Sequence, residues 1–108
     1  MRRLLAAALL WSFPAYAEAT CDRGLDDAAL AACLYDAFEQ ADRRLAELWQ
    51  RRTVDRMARN EQQAWLAYRD AACARDRVAG GGDAPAREAR CLLDMTRERI
   101  KRLAADPD

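Results

Sequence analysis

The chain has no histidine, and its one serine, Ser12, lies within the first 17 residues. Beyond that point neither a Ser-His-Asp nor a Cys-His nucleophilic site can be assembled. Glycine and proline are sparse, four and three in 108 residues, and three of the glycines stand together as Gly80-Gly81-Gly82. That run lacks the following Lys and Ser or Thr of a phosphate-cradling loop. The cysteines are separated by 12, 40 and 18 residues, with no short paired motif of the zinc type. Adjacent carboxylates such as Asp26 and Asp27 diverge by about 100° on a helix and do not face one another. These absences leave a non-enzymatic protein as the expected class, with no cofactor and no metal.

No apolar run is long enough to span a bilayer. The longest, Leu4 to Phe13, follows Arg2 and Arg3 and precedes Pro14-Ala15-Tyr16-Ala17. This is the pattern of a secretory leader, with cleavage expected after Ala17. Glu18-Ala19-Thr20 before Cys21 makes a poor lipobox, so no lipid anchor is expected. Residues 18–108 then form one domain of 91 residues, with 16 basic and 18 acidic side chains and a net charge of −2. The expected location is the periplasm or the exterior. A domain this small is marginally stable, and cross-links are a common remedy. Four cysteines, Cys21, Cys33, Cys73 and Cys91, in an exported chain argue for two disulfides.

What remains is helical, an all-α fold of three helices. From Asp26 to about Gln50, Leu30, Cys33, Leu34, Ala37, Phe38, Ala41, Leu45, Leu48 and Trp49 recur at three- and four-residue steps, the signature of one helix face. A second helix is expected from about Val54 to Val78, capped by Thr53, with a stripe of Met57, Ala58, Ala64, Trp65, Tyr68, Ala71 and Ala72. Gln50 to Asp55 has neither Gly nor Pro, so local sequence alone does not fix the break between them. Gly80 to Pro85 must be a turn. A third helix follows from about Ala86, with Ala89, Leu92, Leu93, Thr96, Ile100 and Leu103 inward, and frays at Asp106. If the second and third helices form a hairpin, Cys73 lies beside Cys91, and Cys21 pairs with Cys33 by exclusion; the two other connectivities stay open.

Three stretches carry a family resemblance. They are Cys33-Leu-Tyr-Asp-Ala-Phe-Glu-Gln-Ala-Asp42-Arg-Arg-Leu45, Gln62-Gln-Ala-Trp65-Leu-Ala-Tyr-Arg69-Asp70-Ala-Ala-Cys73, and Cys91 followed by Thr96-Arg-Glu-Arg99 and Leu103. Together they resemble the lysozyme-inhibitor LprI-type domain over nearly all of residues 18–108. The sequence departs from that pattern at Ala46, where Asn is common, and in a short connection between the first two helices. The resemblance implies a helical, disulfide-bonded, exported protein, with inhibition of lysozyme as the activity of some members.

The motif residues look first like architecture. Gln62, Trp65 and Arg69 share a helix face, and Asp42 sits at the inner edge of the first helix. Arg69 is expected to be partly buried and paired with Asp42 or Asp70, because a buried charge needs a partner. The alternative is a solvated Arg69 with its stem over Trp65. Trp49, Trp65, Tyr35 and Phe38 are expected in the core. Thr96 and Arg99 either tie the third helix to its neighbours or sit as polar edge residues.

Charge is uneven along the chain. Asp22 to Asp42 holds six acids and one base, net −5, whereas Arg43 to Arg59 holds six arginines against Glu47 and Asp55, net +4. Helix-dipole complementation accounts for part of this. Functionally, Asp26, Asp27, Asp36 and Glu39 suit a cationic protein such as a lysozyme, with Gly81 and Asp83 in a turn able to reach a cleft. The basic stretch suits anionic lipid; nucleic acid is not expected for an exported protein. The expected function is inhibition of a lysozyme by protein contact, and the alternative is a structural or stress-related envelope module.

Overall fold

A computed structural model of the chain describes residues 21, 24–52 and 55–105. The expected leader at residues 1–17, the expected cap Thr53 and the fraying expected from Asp106 lie outside the described residues. Three helices follow in order: α1, Asp27–Gln50; α2, Arg56–Ala79; and α3, Ala84–Ala105. None of the described helices is long and apolar enough to cross a membrane.

α1 and α2 start where the sequence supplies a side-chain acceptor for their free amides. The Asp26 carboxylate accepts from the Ala29 N–H at 2.8 Å, and the Asp55 carboxylate accepts from the Ala58 N–H at 2.8 Å. Asp55 therefore caps α2, and the helix begins two residues later than the Thr53 reading placed it. A carboxylate both satisfies the amides and meets the positive end of the helix dipole. α2 ends at Gly80, whose φ of 77° is the left-handed region that glycine enters freely. α3 begins at Ala84 rather than Ala86, so the turn is Gly80–Asp83. Pro85 lies in the first helical turn, where its missing N–H costs nothing.

α3 is the central element. It packs against both α1 and α2, the α1 interface being the larger, and among the described residues no α1 Cα comes within 8 Å of an α2 Cα. Leu34, Ala37 and Phe38 of α1 pack with Ala86, Ala89, Leu92 and Leu93 of α3, and the small alanines let the two helices approach closely. α1 and α3 run in the same direction. At one end Asp27 Oδ2 lies 3.3 Å from where a side chain on Gly82 would begin. At the other, the Arg52 guanidinium donates to the Leu103 carbonyl at 3.1 Å, satisfying part of the C-terminus of α3.

The inner face of α2 differs from the sequence expectation. Gln62, Arg69 and Cys73 are buried, with Ala58, Trp65, Leu66 and Ala72 half-buried beside them. Met57, Ala64, Tyr68 and Ala71 face solvent, Met57 at 78% exposure and Tyr68 at 65%. The helix is rotated toward its polar side because Gln62 and Arg69 find hydrogen-bonding partners on its neighbours and Cys73 is fixed by a disulfide.

Both disulfides follow the hairpin pairing. Cys21–Cys33 has a Cα separation of 5.6 Å and Cys73–Cys91 one of 5.5 Å. The first fastens the segment before α1 onto that helix, and the second clamps α2 to α3 beside the turn. Closing an 18-residue loop restricts the unfolded chain by about 3 kcal/mol. Replacing Cys73 and Cys91 by alanine is expected to lower the unfolding free energy by about that amount. Urea titration checks it: an unchanged midpoint would show that this bridge is not what holds the hairpin.

Candidate functional site

Arg69 sits where the three helices meet. It is buried, its side chain 6% exposed. Its Nη1 donates to Asp42 Oδ1 of α1 at 2.8 Å and to Thr96 Oγ1 of α3 at 3.2 Å, while its Nε donates to Asp70 Oδ1 of α2 at 2.9 Å. The guanidinium carbon also lies 5.0 Å from the Phe38 ring centroid and 5.5 Å from that of Trp65. Both carboxylates named in the sequence reading are thus engaged at once. Asp42 and Asp70 remain 42% and 63% exposed, so the ionic partners keep water while the guanidinium loses it. The desolvation cost falls on one ion rather than three, and is offset by two charge-assisted hydrogen bonds and two aromatic faces.

A second contact lies beside the first. Arg99 Nε and Nη2 of α3 donate to Gln62 Oε1 of α2 at 3.1 and 2.9 Å, and the Arg99 guanidinium lies 5.4 Å from the Trp65 ring centroid. Thr96 is fully buried and Gln62 nearly so. Thr96 and Arg99 therefore tie α3 to α2. The motif residues Asp42, Gln62, Trp65, Arg69, Asp70, Thr96 and Arg99 form one connected junction, with Leu45 buried beside it.

Where α1 and α2 diverge, an open groove of about 580 Å³ runs between them. Asp42, Arg69 and Asp70 lie at one end; Leu45, Ala46, Trp49, Leu66 and Ala67 line the walls, and Gln50, Gln62 and Gln63 the rest. The sequence reading did not single out Leu66 or Ala67. The available signal was that Leu66 is the one leucine of α2 and stands four residues after Gln62. Of the aromatics expected in the core, Phe38 is buried and Trp49 and Trp65 are half-buried, but Tyr35 is 45% exposed. Tyr35 meets the Phe38 ring edge-on, at 5.6 Å between centroids, from the outer side of α1.

The acidic residues separate into two places. Asp26 and Asp27 at the start of α1 lie beside the α2–α3 turn that carries Gly81 and Asp83. Asp36, which accepts from Gln40 Nε2 at 3.0 Å, and Glu39 stand exposed farther along α1. Farther still, Arg43, Arg44 and Arg51 border a shallow basic depression.

The turn is tied down. Arg87 Nη1 donates to Asp83 Oδ1, and Arg87 Nη2 donates to the Gly80 carbonyl at 2.7 Å and the Asp76 carbonyl at 3.3 Å. Gly81 has a φ of 97°, a conformation that other residues rarely adopt. Arg87 was missed in the sequence, although its position four residues after Asp83 is the spacing of a helical ion pair. The hydrogen bond from Arg87 holds the Asp83 carboxyl below its ordinary value.

The described residues thus form a small all-α scaffold, stapled by two disulfides around a buried arginine junction. The family model described as Lysozyme inhibitor LprI matches residues 17–103, and the chain belongs to that family. No curated protein and no solved structure matches the chain.

Asp42→Asn is expected to destabilise the fold by about 2 kcal/mol, because it removes a charged acceptor from a buried guanidinium. Asp70→Asn should cost less, since Asp70 is the more exposed of the two. Urea unfolding of both variants checks the order, and equal effects would contradict the geometry. For Asp83, a depressed carboxyl contributes stability that is complete above its unfolded value of 3.8 and is lost as the pH falls through its lower folded value. NMR titration of the Asp83 carboxyl carbon is expected to give a midpoint below 3.8 that returns toward it in Arg87→Gln.

Proposed function

We propose that this protein is exported and inhibits a lysozyme by direct protein contact, without chemistry of its own. The observation that carries the reading is the Lysozyme inhibitor LprI match across residues 17–103. The match begins at the end of the expected leader, and two disulfides fit an oxidising compartment.

The contact surface we assign is the α2–α3 turn with the start of α1 beside it, and Asp36 and Glu39, farther along α1, add to the same negative field. Asp26, Asp27, Asp36, Glu39 and Asp83 are all exposed. A field of this sign steers a cationic enzyme toward the inhibitor and adds specificity at the rim of the interface. The four-residue turn, held by Arg87, is a rigid edge that loses little conformational freedom on binding. Asp83 acts in this reading as the brace of that edge and Gly81 as the residue that lets the chain turn sharply; the carboxylates of α1 supply the attraction.

The purified disulfide-bonded protein is expected to lower lysozyme turnover of cell-wall substrate at micromolar concentration. Inhibition should weaken as salt rises from about 50 to about 300 mM, because screening shortens the reach of the acidic surface. Asp26→Asn with Asp27→Asn, Asp36→Asn and Glu39→Gln should weaken it severalfold while keeping the helix cap, since Asn caps as well as Asp. Unchanged turnover with both animal and bacterial lysozymes would reject the activity.

A further inference from the structure

The groove between α1 and α2 has the lining of a helix-binding site. On α1 it is lined by Asp42, Leu45, Ala46 and Trp49, at i, i+3, i+4 and i+7, with Leu45 buried as the floor and the others reaching the open space. On α2 it presents Gln63, Leu66, Ala67 and Asp70 at the same spacing. Two such stripes, one from each of two antiparallel helices, face the same open space, and a third helix seated there would interdigitate with both. α3 already occupies the opposite side of the pair, so the occupant would complete a four-helix arrangement. Ala46 and Ala67 are exposed, one on each wall, and their small side chains leave room for a partner backbone to approach.

Charge selects the kind of helix. Asp42 and Asp70 lie at one end of the groove, 42% and 63% exposed, over the single guanidinium of Arg69. Two carboxylates against one cation leave that end net negative. A carboxylate can accept more hydrogen bonds than the one each makes to Arg69. Along α1 the apolar end, at Trp49, lies seven residues from Asp42, about 10 Å at the rise of a helix.

We infer that the α1–α2 groove binds an amphipathic helix of a protein partner, with an Arg or Lys of that helix set between Asp42 and Asp70. Apolar residues three, four and seven positions along the occupant meet Leu66, Ala46, Ala67 and Trp49. This is the helix-in-groove mode of recognition, with the acidic end fixing its direction. The groove lining contains none of the acidic residues assigned above to lysozyme contact, so the inference does not rest on the inhibitor reading.

The test uses the purified disulfide-bonded protein and a dye-labelled 18-residue synthetic helix carrying Arg at one position and Leu three, four and seven positions later. Titration should raise the anisotropy of the peptide and shift the tryptophan emission, with the shift lost in Trp49→Phe and kept in Trp65→Phe. Replacing the Arg by Glu should weaken binding by about tenfold or more, because a like charge would face the two carboxylates. Ala67→Trp fills the groove from an exposed helical position and should abolish binding with circular dichroism unchanged; Ala46→Trp does the same from the other wall if the first variant fails to fold. Equal affinity for the Arg and Glu peptides, binding that survives the filled groove, or no binding at all would overturn the proposal. A concentration-dependent dimer in sedimentation that the filled variants abolish would also overturn it, by assigning the groove to a second copy of the chain.

Discussion

The arrangement of the three helices depends on the burial of one guanidinium. Arg69 gives up its hydration, and the loss is tolerable only if fixed acceptors replace it. Its own helix supplies one, Asp70; α1 supplies Asp42, and α3 supplies Thr96. α1 and α2 make no close backbone approach, so this side-chain link joins two helices that are each packed on α3, and the groove lies between them.

That constraint also explains why α2 carries so little apolar surface inward. Its buried residues are a glutamine, an arginine and a half-cystine. Gln62 receives Arg99, Arg69 receives its two carboxylates, and Cys73 is covalently joined to α3. The helix is held by directional contacts and one covalent bond more than by hydrophobic burial. The core proper belongs to α1 and α3, where Leu34, Phe38, Leu92 and Leu93 pack around small alanines.

Most of the residues on which the family resemblance rests, the cysteines and Leu103 apart, are in this junction. The resemblance therefore reports how the scaffold is built, and the surfaces available to partners lie mostly outside it. The start of α1 and the turn beside it make one surface, and the two walls of the groove make another. Asp42 and Asp70 belong to both worlds, since each anchors Arg69 with one oxygen and keeps a large part of its carboxylate in water.

Sequence by itself determined the helical class, the faces of α1 and α3 and the hairpin turn, and it favoured the disulfide pairing that the structure has while leaving two others open. These follow from local information: apolar spacing, a glycine run and cysteines placed to meet across a short turn. It also marked Arg69 with Asp42 or Asp70. The face of α2 was misread, because periodicity ranks Met57 and Tyr68 above Gln62 and Arg69 as inward residues, and only partners on other helices reverse that order. The start of α2 shifted because Thr53 and Asp55 both have capping side chains, and the tertiary path selects between them. The groove could not be read at all. It is a space between two helices joined through a buried ion and through α3, and that is a property of the assembled bundle, with no counterpart in any one stretch of the chain.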